Sequence, residues 1–278
     1  MMHLFYEVSH MCSKITTEKY STSFASAIRL LHKDMRTPVY NIYGFVRFAD
    51  EIVDTFHDHD QKLLLSQFKV QTYEAIEWGV SLNPILQSFQ ETVNRYGIKK
   101  HFIDAFFDSM EQDLHKLEYD QQTYNEYIYG SAEVVGLMCL HVFCEGDSNI
   151  YDTLKPYAQS LGAAFQKVNF LRDLKSDTQT LERMYFPGYN FLNFTENEKQ
   201  QIEADILYDF ERAYKGILQL PVKARFGVYV AYKYYLSLFN KIRKVKAKRI
   251  MEERIRIPNY SKAMILAKAG VRSQFNML

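Results

Sequence analysis

In 278 residues there are one tryptophan, three cysteines, six prolines and eleven glycines. So few glycines and prolines leave little turn chemistry for an all-β sandwich or barrel. An excess of charge of one sign is also missing: 34 Lys and Arg face 33 Asp and Glu, for a net charge of +1. That balance excludes a general nucleic-acid binder, which needs a basic surface to displace phosphate counterions. The three cysteines, Cys12, Cys139 and Cys144, are odd in number and lack CxxC spacing. They exclude a disulfide framework and a zinc site and read as buried free thiols in a reducing cytosol. Long apolar runs are absent as well. Residues 1–19 hold no continuous stretch of signal-peptide length. The most apolar segment, Val134 to Cys144, is interrupted by His141 and falls well short of the ~20 residues that span a bilayer. The chain reads as one cytoplasmic domain over residues 1–278, with peripheral membrane contact left open.

What is abundant is aromatic: 21 Tyr and 20 Phe. A hydrophobic share of 47% beside 24% charged residues is ordinary for a globular protein and excludes disorder. Apolar residues recur at helical spacing almost throughout. Ala25, Ile28 and Leu31, followed by Val39, Ile42, Val46, Ile52 and Val53, predict two helices split at Thr37-Pro38. Asn83-Pro84 marks another start and Gly97 a stop; Thr123 precedes a central helix carrying Tyr127, Ser131, Val134 and Met138. A long helix is expected from about Tyr151 to Asp177. The stretch Thr178 to Phe194, with Pro187-Gly188 at its centre, breaks the rhythm and reads as a connection or a lid. Thr195 with Glu198 forms a capping-box signature. Pro221 opens a helix that continues into the basic stretch Lys241, Arg243, Lys244, Lys246, Lys248 and Arg249. No run reads as a strand, so the fold class is all-α.

Two acidic sets carry the chemistry. Asp50 and Asp54 stand four residues apart, so their carboxylates stack on one helix face. Glu51, three residues before Asp54, is able to share it. Asn169, Asp173 and Asp177 climb one face of the long helix by the same step. Stacked like charges repel unless a cation lies between them. Oxygen donors from two helices suit a hard divalent cation, with Mg²⁺ favoured where a substrate phosphate completes the shell and Mn²⁺ as its substitute. Arg47 and Arg172, one beside each set, offer forked donors to phosphate oxygens. A lone DxxxD pair is usually a solvated face. Here Phe48, Ile52 and Val53 flank one set and Phe165, Val168, Phe170 and Leu171 the other, which does not describe solvated surface.

In these motifs, from about Tyr20 to Tyr260, the chain resembles the squalene and phytoene synthases, the head-to-head prenyl transferases. Ser21-Thr22-Ser23-Phe24 resembles the family's early Ser-x-x-Phe element. Tyr43-x-x-x-Arg47-x-x-Asp50-x-x-x-Asp54 resembles the first aspartate-rich motif, and Gln166-x-x-Asn169-x-x-Arg172-Asp173-x-x-x-Asp177 the second. Tyr129-Gly130-Ser131-Ala132 with Val134-Val135-Gly136 resembles the central helix, and Arg183-x-Tyr185-Phe186-Pro187 the segment that folds over the site.

The resemblance implies an isoprenoid synthase fold, a single helical domain around a central cavity that holds two prenyl diphosphates. It implies Mg²⁺ held by Asp50, Asp54, Asn169, Asp173 and Asp177. Catalytic roles fall to these aspartates with Tyr43 and Tyr129, and substrate binding to Ser21, Phe24, Arg47, Gln166, Asn169, Arg172 and Tyr185. Phe24, Tyr43, Phe165, Tyr185 and Phe186 are candidates for the apolar, π-rich wall around a carbocation. The wording of the central helix is most like bacterial phytoene synthases, which join two C20 (geranylgeranyl) diphosphates without NADPH and feed a carotenoid-pathway desaturase. The alternatives are a C15 dehydrosqualene or squalene synthase, the latter using NADPH, and a non-catalytic assembly factor of the same family. The last would have let its acidic motifs decay, and both are whole here. Glu133 stands where relatives carry a small residue. Arg254-x-Arg256-x-Pro258 resembles a basic element of the family in uncertain register. The basic stretch before it is a solvated face or a contact with anionic headgroups. His57 and His59 read as surface loop residues. Asn193-Phe194-Thr195 matches a glycosylation acceptor, without meaning in a cytosolic protein.

Overall fold

Helix boundaries fall where capping chemistry puts them. In a computed structural model describing residues 2–115, 118–179, 183–189 and 194–274, thirteen α-helices form among the described residues, and no strand. Glu118 and Met184 make one isolated parallel bridge. Asn83 accepts from the Ile85 amide at 3.0 Å to start α5 (Pro84–Tyr96), with Pro84 in its first turn. Gly97 ends α5 at φ 63°, in the left-handed region that favours glycine. Thr195 and Glu198 close the expected capping box on α10 (Glu196–Ile217).

Two starts differ from the sequence reading. Residues 33–54 are one helix, α3 (Lys33–Asp54), with Pro38 inside it. Pro38 is only the sixth residue, so its missing N–H removes a single bond, that to the Asp34 carbonyl. The break falls after α2 (Thr22–Ile28), where the His32 amide donates 2.9 Å to the Lys223 carbonyl at the start of α11 (Val222–Arg243). A tertiary contact, invisible to local pattern, decides it. The central helix begins earlier than Thr123, because Asp120 caps α7 (Gln121–Ile128) and Thr123 is the residue that returns the capping bond.

Helix α7 runs through a π turn (Tyr129–Glu133) into α8 (Val134–Cys144). Together, residues 121–144 are long and apolar enough to cross a membrane, more than the segment Val134–Cys144 alone, but over half of that window is buried inside the fold. The long helix α9 (Ser148–Gln179) packs on α8 and α10, while α3 is clasped by α1 (Met2–Tyr20) and α5. Phe45 of α3 stacks on Phe89 of α5 with ring centroids 3.8 Å apart, and Phe106 and Phe107 of α6 (Lys100–Asp113) pack against it. Each such fully buried ring contributes roughly 1.5–3 kcal/mol. Helix α11 carries Lys241 and Arg243 in its last turn, so it continues into only the first part of the basic stretch. That helix ends at Arg243 and a short α12 (Ala247–Ile250) follows, its exposed Arg249 and Lys248 paired to Glu253 and Glu252. A last helix, α13 (Asn259–Gln274), packs on α11. Asn193 and parts of the stretch Thr178 to Phe194 lie outside the described residues. His57 and His59 are exposed, as expected.

Candidate active site

Helices α3 and α9 present one grade of side chains to a shared cavity of about 620 Å³. Ahead of their acidic ends they line it with Val39, Ile42 and Val46, and with Leu154, Ala158 and Leu161. Their C-terminal ends line it with Arg47, Asp50 and Asp54, and with Asn169, Arg172, Asp173 and Asp177. Leu154 lies nineteen residues before Asp173, so at the helical rise the cavity wall runs about 28 Å from apolar floor to acidic rim. Small residues keep that wall thin. A Cβ on Gly162 would meet the Ala132 carbonyl oxygen at 2.7 Å, and one on Gly216 would meet Tyr157 Cβ at 2.2 Å.

The acidic rim is electrostatically tense. Burial, and then Asp54, push the Asp50 carboxyl up to about 7, against the lowering pull of Arg47. Burial, and then Asp173, push Asp177 up to about 8, with Asp54 across the cavity adding to the rise. The two sets therefore feel each other. Arg47 pairs with Glu51, lies 3.6 Å from Asp50, and rests over the Tyr20 ring at 4.3 Å. Glu51 thus serves Arg47 rather than sharing a face with Asp54. Arg47 Nε is buried with no hydrogen-bond partner among the described residues. Arg172 forks onto Asp173, and from the far side Arg254 Nε reaches Asp173 Oδ1 at 2.7 Å. Arg254 lines the cavity, whereas Arg256 is held through its backbone by Lys241. Of the two, Arg254 is the one at the cavity.

Below the rim stands an aromatic box. Phe165 and Tyr235 stack with centroids 3.9 Å apart, and Phe24 meets Tyr43, Phe165 and Tyr235 at 5.6, 6.0 and 5.6 Å. The Tyr235 hydroxyl donates to Asn169 Oδ1 at 3.3 Å, and Asn169 Nδ2 donates to Gln166 Oε1 at 3.4 Å. Ser21 caps α2 and faces the same cavity. Burial raises the Tyr43 hydroxyl far above its ordinary range and keeps it neutral.

Of the residues singled out from sequence, Tyr129, Phe186 and Glu133 do not join this wall. Tyr129 is absent from the cavity lining, and Tyr127 takes its place. Tyr129 opens the π turn (Tyr129–Glu133), which adds a residue to the helical register beyond it, while Tyr127 lies before the turn. Phe186 is buried against Phe170 and Tyr124 in the core. Glu133 also stays off the wall, accepting from Gln159 Nε2 at 2.8 Å. Cys139, by contrast, lines the cavity, and burial pushes its thiol up to about 12.

Like Tyr235, Asp113 is a member of the site that sequence reasoning missed. It ends α6 with its side chain only 4% exposed. It accepts from the hydroxyls of Tyr127 at 2.8 Å and Tyr185 at 3.2 Å. Arg183 Nη2 donates to its backbone carbonyl at 2.9 Å, while Nη1 donates to Asp54 Oδ1 and Tyr185 Oη, both at 3.3 Å. Through these bonds the segment carrying Arg183 and Tyr185 is fastened to the rim. Nothing in a single Asp beside Glu111 and Gln112 signals this.

Among the described residues, no three His, Cys, Asp or Glu side chains gather into a preformed metal cage. The donor set still fits Mg²⁺, which binds through one or two carboxylates together with waters and substrate phosphates. Carboxyls raised by burial and then by facing one another are what a hard cation relieves. An orphaned guanidinium N–H beside them suits a phosphate oxygen.

Residues 17–261 match the sequence profile of the squalene/phytoene synthase family. A presqualene diphosphate synthase of Rhodopseudomonas palustris is 28% identical over 60% of this chain and 58% of its own length, so the match spans less than two thirds of that relative. A phytoene synthase of Arthrospira platensis is 25% identical over 95% of the chain and 93% of its own length. Among solved structures, a dehydrosqualene synthase superposes with a TM-score of 0.82 at 20% identity, covering 97% of this chain and 98% of that one.

Proposed function

This chain belongs to the squalene/phytoene synthase family and has its all-α isoprenoid synthase fold, and on that premise we propose that it joins two prenyl diphosphates head to head. The observation that carries the reading is the graded cavity: paired aspartate helices with four arginines at one end, an aromatic box, then a long apolar floor.

Asp50, Asp54, Asn169, Asp173 and Asp177 would hold Mg²⁺, which supplies positive charge to a departing diphosphate. Arg47, Arg172, Arg183 and Arg254 donate to diphosphate oxygens, placing charge where charge develops as the carbon–oxygen bond breaks. The allylic cation left behind faces the rings of Phe24, Tyr43, Phe165 and Tyr235, which offer π-density and exclude water. The double bond of the second substrate attacks it, and loss of a proton closes a cyclopropylcarbinyl diphosphate. Departure of the second diphosphate, rearrangement and loss of one further proton give the 1-1′ joined hydrocarbon. The neutral hydroxyl of Tyr43 orients these steps by hydrogen bonding, while Tyr127 and Tyr185 hold Asp113 beside the rim.

The substrate we propose is geranylgeranyl diphosphate, giving 15-cis-phytoene without NADPH. The near full-length match to a phytoene synthase supports it. The presqualene synthase match favours the second reading, two C15 chains. Purified protein incubated with C15 and C20 diphosphates, with and without NADPH, decides between them. A C40 hydrocarbon without reductant is expected; turnover of C15 alone would overturn the C20 assignment, and no turnover of either would overturn the activity.

A further inference from the structure

Helix α1 is inside out. The face it turns to the protein carries Ser9, Ser13 and Thr17, all buried. Their small side chains bring α1 against α3 and α5: Ser13 Oγ lies 2.7 Å from Ser88 Oγ, and a Cβ on Gly44 would come within 2.6 Å of it. The opposite face carries Leu4, Val8, Met11 and Ile15, which are 65%, 48%, 52% and 50% exposed. Helices of globular proteins bury the apolar side and expose the polar one. Four large apolar side chains in line on a solvent face are not a single stray exposed residue.

Their spacing is informative. The steps 4, 3 and 4 are those of a heptad seam, with Val8 and Ile15 at the a positions and Leu4 and Met11 at the d positions. The stripe is narrow, as a seam between two helices is. One flank carries Glu7 and Lys14, both exposed, and among the described residues neither makes an ion pair. Two Lys and two Glu along the helix cancel. A helix that lies in an anionic bilayer shows instead a wide apolar face bordered by Lys and Arg. The surface therefore fits a protein partner better than a lipid one.

We propose that this face pairs with the same face of a second copy of the chain, with the two α1 helices antiparallel. In that arrangement Leu4 meets Ile15 of the other copy and Val8 meets its Met11, twice each by the two-fold axis. Glu7 then lies beside Lys14 of the other copy, so both unpaired charges on the flank are answered. A parallel pair would set Lys14 near Lys19 and leave Glu7 opposite Cys12. The antiparallel pairing is isologous and closes on itself as a dimer rather than growing into a filament. The seam is only two heptads long. Association is therefore expected at a dissociation constant on the order of micromolar, weaker than that of standard-size interfaces.

Sedimentation velocity of the full chain over a concentration series tests this. The wild type is expected to shift from monomer to dimer, and Met11→Lys to stay monomeric with unchanged helicity and turnover. Glu7→Lys and Lys14→Glu should each weaken the dimer at least tenfold, and the double exchange should restore it. In a Cys12→Ser background, Val8→Cys with Met11→Cys should give a covalent dimer under oxidation. A wild type that stays monomeric, a dimer indifferent to Met11→Lys, or no rescue by the double exchange would each overturn the pairing. So would flotation of the wild type, lost in Met11→Lys, on phosphatidylglycerol vesicles without self-association, which would assign the face to lipid.

Discussion

Arg183 Nη1 lies 3.3 Å from Asp54 Oδ1, a bond that spans 129 residues and ties the segment beyond α9 to the end of α3. The guanidinium is buried, which works against its charge, but Asp113, Tyr185 and Asp54 more than offset that and hold it firmly protonated. It thus stands fixed and charged at the acidic rim, where a diphosphate would need it.

Replacing Arg183 with Gln should lower turnover about 100-fold, the scale of losing one preorganised donor to developing negative charge. Arg183→Lys should recover only part of this, because a point charge cannot hold Asp54, Tyr185 and the Asp113 carbonyl together. Steady-state kinetics with the C20 diphosphate checks it. A variant within threefold of wild type would show that Arg183 serves the fold alone.

Asp50 separates stability from activity. Its carboxyl is raised to about 7 by burial and by Asp54, so its charge costs the resting protein stability near neutral pH. Asp50→Asn should leave the melting temperature unchanged or raise it, while turnover falls at least about 100-fold. Loss of the cooperative melt would mean that Asp50 is structural.

How much of this was legible beforehand follows from how far each residue acts. Asp50, Asp54, Asp173 and Asp177 were found because the helix repeat alone stacks them, and Gly97 and Thr195 because capping is local chemistry. Asp113 and Tyr235 were missed because their partners lie on other helices, which only the packed chain brings near. Tyr129 was misplaced for a subtler reason. It stands two residues from Tyr127, about 200° round the helix, and the residues that share the cavity face with Tyr127 are Ser131 and Val135, one and two turns on.

The rim also sets a pH dependence. Asp50 at about 7 and Asp177 at about 8 both bind protons more tightly than an ordinary carboxylate does in the unfolded chain. Their contribution to stability is full below the ordinary carboxylate range and is lost as pH rises through 7 to 8. A divalent cation competes with those protons. Mg²⁺ with inorganic diphosphate should therefore raise the melting temperature more at pH 8 than at pH 6, and chelation should abolish the difference. Equal shifts at both pH values in differential scanning fluorimetry would contradict this charge arrangement.

Val228 reports on chain length. On α11 the cavity-lining positions Gly227, Val228, Ala231 and Tyr235 run from the apolar floor to the aromatic box. Val228 precedes Tyr235 by seven residues, about 10 Å of helix toward the floor. It is only partly buried, so a larger side chain there would project into space that a long prenyl tail fills rather than into packed core. Overpacking is expected to cost about 1–3 kcal/mol, which a folded domain of this size tolerates. Val228→Phe should therefore depress turnover of the C20 diphosphate more than tenfold while sparing any turnover of the C15 diphosphate, because the shorter tail ends above the new ring. Competition between the two diphosphates, with the hydrocarbon products separated by mass, gives the ratio directly. An equal loss for both chain lengths would place Val228 in packing alone and leave the floor of the cavity undefined.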